Sequence, residues 1–130
     1  MKTVNLFVWS VCLILFAVGA VCAELDVTRA VFCTKVVEQE PVGISDSYRI
    51  DEVQKVYLFT EIAGAQGYTP IRHIWYYNDE KVLEVDLTIS GPRWRSWSYK
   101  NVYPDMKGKW HAEIVDADNN VLKSIQLIIQ

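Results

Sequence analysis

Apolar and polar residues alternate along this chain in short runs, and turn-forming residues separate the runs. Alternation with a period of two marks strands, because successive side chains of a strand point to opposite faces. A first run covers residues 25–37 and is rich in β-branched and aromatic side chains. Glu40-Pro41-Val42-Gly43 breaks it, and residues 45–52 are polar with no strand signal. Residues 53–62 form a second strand, with Val56, Leu58 and Thr60 facing one way and Tyr57, Phe59 and Glu61 the other. After the small-residue loop 63–67 comes a third strand, 69–77, which contains His73-Ile74-Trp75-Tyr76-Tyr77. Asn78-Asp79-Glu80-Lys81 reads as a hairpin turn, since Asn and Asp tolerate a left-handed backbone.

The fourth strand, 82–90, is the most regular. Leu83, Val85, Leu87 and Ile89 alternate with Glu84, Asp86 and Thr88. Gly91-Pro92 turns into a fifth strand, 93–101. Residues 104–108 form a loop, 109–116 a sixth strand with Trp110, Ala112 and Ile114 inward, and 116–120 a tight turn. Residues 121–129 close the series. Seven short strands with turn signals about every ten residues, and no helical periodicity, predict an all-β fold: an immunoglobulin-like antiparallel β-sandwich, with a closed barrel as the alternative. The expected core is Leu58, Trp75, Leu83, Val85, Leu87, Trp94, Trp110, Ile114, Leu122 and Leu127.

The first 23 residues depart from this pattern. Lys2 precedes an apolar run from Leu6 to Cys22, broken only by Ser10 and Gly19, and Val21-Cys22-Ala23 ends it. This is the layout of a secretory signal peptide cut between Ala23 and Glu24, with an uncleaved membrane anchor as the alternative. The expected domains are therefore a signal peptide, 1–23, and a single β-sandwich, 24–130. After cleavage no membrane span is expected, and the protein would be periplasmic or secreted. Cleavage removes Cys12 and Cys22 and leaves Cys33 alone, so no internal disulfide is expected. Cys33 lies in an apolar run and reads as a small buried hydrophobe.

Charge sharpens the picture. Without Lys2 the domain carries 12 Lys and Arg against 16 Asp and Glu, a net charge of about −4. That argues against nucleic acid as a partner. Charge is also uneven: residues 38–61 hold six acids and two bases, and residues 92–110 hold five bases and one acid. An acidic end and a basic strip are expected.

The basic strip contains Arg93-Trp94-Arg95-Ser96-Trp97-Ser98-Tyr99-Lys100, three aromatics and three cations in eight residues. Strand alternation places Arg93, Arg95, Trp97 and Tyr99 on one face, and Trp94, Ser96, Ser98 and Lys100 on the other. With Trp75 inward, Tyr76 is outward and would border the same strip. Arg93, Arg95, Trp97, Tyr99 and Tyr76 are the candidate binding residues. Trp, Tyr and Arg are the usual anchors of protein interfaces, and stacking rings with nearby donors also suit a glycan. The competing interpretation is that arginine stems cover the edges of structural aromatics.

Catalytic chemistry finds little support. A nucleophile needs a base in reach and an orienting partner; the histidines are His73 and His111, and no Gly-x-Ser-x-Gly elbow is present. A metal site would require His73, His111, Glu61 and Asp116 to converge from separate strands. Glu61 more simply pairs with His73 or an arginine. No catalytic residue, metal ligand or cofactor is assigned.

Several motifs recur in order: Thr28-Arg29-Ala30-Val31-Phe32, Glu40-Pro41, Phe59-Thr60-Glu61, His73-Ile74-Trp75 leading into Tyr76-Tyr77-Asn78, Gly91-Pro92-Arg93-Trp94-Arg95-Ser96-Trp97-Ser98, Gly108-Lys109-Trp110, and Asp116-Ala117-Asp118-Asn119-Asn120-Val121-Leu122. The set resembles the bacterial domain of unknown function 2914 (DUF2914) family across nearly all of residues 24–130. The family pattern has an HRW-Y-(D/N)-G-K hairpin and an RWR-x-(W/Y)-S-S-K strand. Here Ile74 replaces the arginine, Asp79-Glu80 replaces the turn glycine, which suggests a looser turn, and Tyr99 replaces the second serine. The resemblance implies an exported or membrane-tethered envelope protein and carries over no catalytic residues. The functional expectation is a non-catalytic interaction module of the bacterial cell envelope that binds a protein partner. A domain that binds peptidoglycan or an exported polysaccharide is the alternative. The oligomeric state is left open.

Overall fold

A computed structural model describes residues 24–130; the expected signal peptide lies outside the described residues. The chain forms ten strands: β1 Asp26–Cys33, β2 Lys35–Val37, β3 Glu40–Val42, β4 Ser47–Tyr48, β5 Lys55–Ala63, β6 Thr69–Tyr77, β7 Glu80–Ile89, β8 Arg93–Asn101, β9 Gly108–Asp116 and β10 Val121–Ile129. The seven long ones correspond to the seven predicted. Two sheets pack face to face, one in the order β1-β5-β8 and the other β4-β10-β9-β6-β7, with β2 and β3 as a separate hairpin. All pairings are antiparallel except the short β4–β10 contact. The fold is an immunoglobulin-like β-sandwich. Among the described residues no helix is long and apolar enough to cross a membrane.

The core forms where the inward rows of the two sheets meet. Phe32, Val56 and Leu58 of the smaller sheet face Trp75, Trp110, Ala112, Leu127 and Ile129 of the larger. Trp75 is buried with its ring 5.6 Å from that of Phe32. A second cluster of Ile62, Ala65, Ile71, Ile89 and Ile114 closes the other end. Of the predicted core, Leu58, Trp75, Trp110, Ile114 and Leu127 are buried, and Leu83, Val85, Leu87 and Leu122 are half-buried. Leu83, Val85 and Leu87 stand on β7, the end strand of its sheet, where no further strand covers them. Trp94 is not core: 39% of it is exposed, because β8 is also an end strand.

Three local expectations are corrected. The break at Glu40 to Gly43 is instead strand β3, joined to β2 by Glu38 and Gln39, both with positive φ (51° and 62°). The polar stretch after it contributes β4, which caps the edge of β10. The turn after β6 is tight, not loose: Tyr77 pairs with Glu80, so Asn78 and Asp79 alone form it, at φ 48° and 64°. That is the two-residue hairpin geometry whose twist matches that of the strands. Cys33 is buried and unpaired, and burial raises its thiol pKa.

Candidate functional site

The β5–β8 register sets the geometry of the aromatic and arginine strip. Glu61 lies opposite Arg95, Phe59 opposite Trp97, and Tyr57 opposite Tyr99. These rows form the outer face of the smaller sheet, while Ser96 and Ser98 turn inward and are buried. The alternation predicted for this strand is therefore present, with serines rather than Trp94 as its buried members.

Arg95 is a structural tie. Its Nε donates to Glu61 Oε2 at 3.0 Å, and its Nη1 donates to the Gln39 carbonyl at 3.0 Å and to Glu40. Glu61 also accepts from Thr28 Oγ1 at 3.0 Å and lies 3.7 Å from Arg93 Nε. The Arg95 hydrogen bond, then that of Thr28, holds the Glu61 carboxyl below its ordinary pKa. Arg29 reaches Glu40 at 3.4 Å. The acidic and basic segments thus partly meet here, with Glu40 and Glu61 against three arginines. Glu61 is satisfied by arginines and not by His73.

The tip of the β2–β3 hairpin is tied down over this face, and a cleft of about 440 Å³ remains, lined by Gln39, Arg93, Trp94, Arg95 and Trp97. Trp97 stacks nearly parallel to buried Phe59, centroids 6.2 Å apart, and keeps 38% of its surface exposed. The Trp94 indole lies over Gly91, where an added Cβ would come within 3.3 Å of the ring. The Arg93 side chain is 72% exposed, so it can meet a ligand while its Nε keeps the 3.7 Å contact with Glu61. Tyr99 is exposed, packed against Tyr57 at 5.6 Å with Lys55 Nζ 4.2 Å above its ring.

Of the five predicted binding residues, β8 brings Arg93, Arg95, Trp97 and Tyr99 into one row. Tyr76 does not join them. It belongs to β6 in the other sheet, and the outward faces of two packed sheets point in opposite directions. Tyr76 stacks on His111 instead, centroids 4.4 Å apart and planes 6° apart. His111 lies 3.7 Å from Asp79 and 3.8 Å from Glu113 on that far face. Trp94, Gln39 and Glu40 were missed as site residues. Pro41 masked the hairpin, and Trp94 fell on the inward side of the alternation.

His73 has a different role. It is fully buried between the sheets, with Nδ1 2.7 Å from Ser98 Oγ and Nε2 3.1 Å from Thr60 Oγ1. Trp75 Nε1 donates to Ser98 Oγ at 3.0 Å, and Thr60 donates to the Ser96 carbonyl at 3.0 Å. With the Thr60 proton directed there, Nε2–H donates to Thr60 and Nδ1 accepts from Ser98. Every member is satisfied with a neutral ring, and burial lowers the His73 pKa to about 3. No carboxylate is among its hydrogen-bond partners, and the sheet separates it from His111. His73, His111, Glu61 and Asp116 do not converge, and among the described residues no group of three or more His, Cys, Asp or Glu side chains is placed to hold a metal ion.

The two parts of the chain joined by this network, the His73-Ile74-Trp75 strand and the Arg93 to Ser98 strand, lie within residues 68–127, which match the model of a protein family of unknown function, DUF2914. Residues 68–127 belong to the DUF2914 family. The matched segment begins just before β6 and ends within β10, so it is shorter than the resemblance across 24–130 suggested. β1 to β5, which carry Glu40 and Glu61, lie before it. Among solved structures, an immunoglobulin-like protein from Pseudomonas aeruginosa is similar in fold, with a TM-score of 0.58 and 12% identity over 83% of this chain and 98% of that one. No curated protein matches this chain.

Proposed function

We propose that this DUF2914 protein is an exported, non-catalytic interaction module of the bacterial cell envelope that binds a protein partner through the β8 strip. The observation that carries this reading is the cleft beside β8. Two half-exposed indoles and the exposed Arg93 guanidinium flank a wall made rigid by the Arg95–Glu61–Glu40 ties. Exposed aromatic and arginine anchors on a preorganised surface are what protein interfaces use most. Export is supported by the signal-like sequence of residues 1–23.

A photocrosslinking residue at position 97 in intact cells tests this reading, with the same residue at position 76 on the opposite sheet as control. Capture of one envelope protein from position 97 and not from 76, lost on Arg93→Glu, is expected. Equal capture from both positions would remove the strip as the contact surface. A carbohydrate ligand is the second reading, supported by the Gln39 amide beside the two indoles. Binding on a glycan array, abolished by Trp97→Ala, would favour it.

A further inference from the structure

The pairing of β8 leaves one side of its backbone unused. Val102 N donates to the Gln54 carbonyl and Gly64 N donates to the Pro92 carbonyl. Both bonds belong to the β5–β8 ladder, in which residues directly opposite exchange both bonds at every second position. Pro92 and Val102 are even-numbered, so the even residues of β8 bond to β5. The amides and carbonyls of Arg93, Arg95, Trp97, Tyr99 and Asn101 point away from it. β8 ends its sheet, and among the described residues no strand pairs with it on that side.

The free edge lies between two hollows. At one end is the cleft of Gln39, Arg93, Trp94, Arg95 and Trp97. At the other, a groove of about 500 Å³ runs between β8 and β7, with Leu83 and Val85 opposite Tyr99, Lys100 and Tyr103. Exposed edges are ordinarily blunted by charge, bulges or coverage. The β10 edge is capped by β4; the β5–β8 register runs unbroken from Arg93 to Asn101 with no bulge.

We infer that β8 binds an extended acidic segment of a partner protein by strand addition, main chain to main chain, along Arg93 to Asn101. The chemistry of the edge selects that occupant. An added strand points alternate side chains to opposite faces. One set would enter the apolar groove beside Leu83 and Val85; the other would lie beside Arg93, Trp97 and Tyr99. Arg93 and Lys100 line the two hollows and Lys55 lies over Tyr99, while Arg95 is held by Glu61 and Glu40; cations at both ends of the edge favour an acidic segment and oppose β8 pairing with a second copy of itself. This rests on the interaction-module reading and specifies its partner.

The test uses a displayed library of random heptapeptides selected against the protein, followed by amide hydrogen exchange on the complex with the best binder as a synthetic peptide. Enriched sequences should alternate apolar and acidic residues. Exchange of the Arg95, Trp97 and Tyr99 amides should slow at least tenfold on binding. Trp97→Pro removes an outward amide without touching the β5 ladder and should weaken binding about tenfold beyond Trp97→Ala. Because a proline variant can misfold, N-methylation of alternate amides in the peptide provides the same loss from the other side. A bound peptide that leaves those amides exchanging as before, yet is lost on Arg93→Glu, would overturn strand addition while keeping the strip. Binders insensitive to both Arg93→Glu and Trp97→Ala would overturn the strip as well.

Discussion

His73 shows how one buried polar side chain constrains both packing and pH response. Thr60, Ser96 and Ser98 surround it with hydroxyls and a carbonyl, and none of these offsets a positive charge. The neutral ring therefore suits the site, and its pKa falls from 6.5 to about 3. In the unfolded chain the ring takes up a proton at ordinary pH values for histidine. Between pH 6.5 and 3 the unfolded state thus binds more protons, and stability falls as pH falls. We predict a loss of up to about 1.4 kcal/mol per pH unit across that window. Urea midpoints at pH 7, 6 and 5 check it. His73→Gln should be less stable at pH 7 but flatter with pH, while His111, present in both proteins, cancels from the comparison. Equal slopes in the two proteins would show that His73 does not set the pH response. Glu61 makes a second test at one residue. Glu61→Gln weakens the grip on Arg95 and Arg93, so the hairpin tip at residues 38–40 should become more sensitive to protease, which limited proteolysis would detect. Unchanged cleavage would mean that Glu40 alone suffices to hold the tip.

Strands were legible where alternation was clean and illegible where it was interrupted. β7 alternates cleanly from Leu83 to Ile89, after a register shift at Val82, and those faces are as read. β2 lies within the first run, 25–37, and is not separated there from β1, while β3 reads as a break because a proline sits inside it and the connecting turn, Glu38-Gln39, has neither glycine nor asparagine to announce its positive φ. β8 was read correctly as a strand, but alternation says nothing of sheet order. Its end position exposes Trp94, and membership of the other sheet carries Tyr76 away from the strip. The buried network had a signal, His73-x-Trp75 facing Ser96-x-Ser98 at matching spacing, but only the packing of β6 over β8 gives it meaning. The turn between β6 and β7 yields a further prediction. Asp79 holds φ 64°, a backbone region that aspartate tolerates but glycine adopts at lower cost, and its side chain is 96% exposed. Asp79→Gly should raise stability by about 0.5–1 kcal/mol, measured by urea unfolding. No gain would mean that the 3.7 Å contact between Asp79 and His111 offsets the backbone cost.

The extent of the folding unit differs from the extent of the family match. Residues 68–127 supply four of the five strands of the larger sheet but only β8 of the smaller one. β5 is the centre of that smaller sheet and lies before the matched segment, as do Phe32, Val56 and Leu58, which cover Trp75 and Trp110. Without residues 24–67, β8 has no strand to bond to, and the inward row of the larger sheet faces water. Large exposed apolar faces are not sustained by a single sheet of this size. The hydroxyl of Thr60, which accepts from His73, would be gone as well, so the network between β6 and β8 loses its link through β5. We therefore predict that residues 68–130 alone give no cooperative urea transition and little near-ultraviolet circular dichroism from their tryptophans. Adding residues 24–67 as a separate chain should restore both signals, because the missing contacts are between strands and not across a covalent turn. A sigmoidal transition from 68–130 alone would mean that the larger sheet covers its inward face by some other packing.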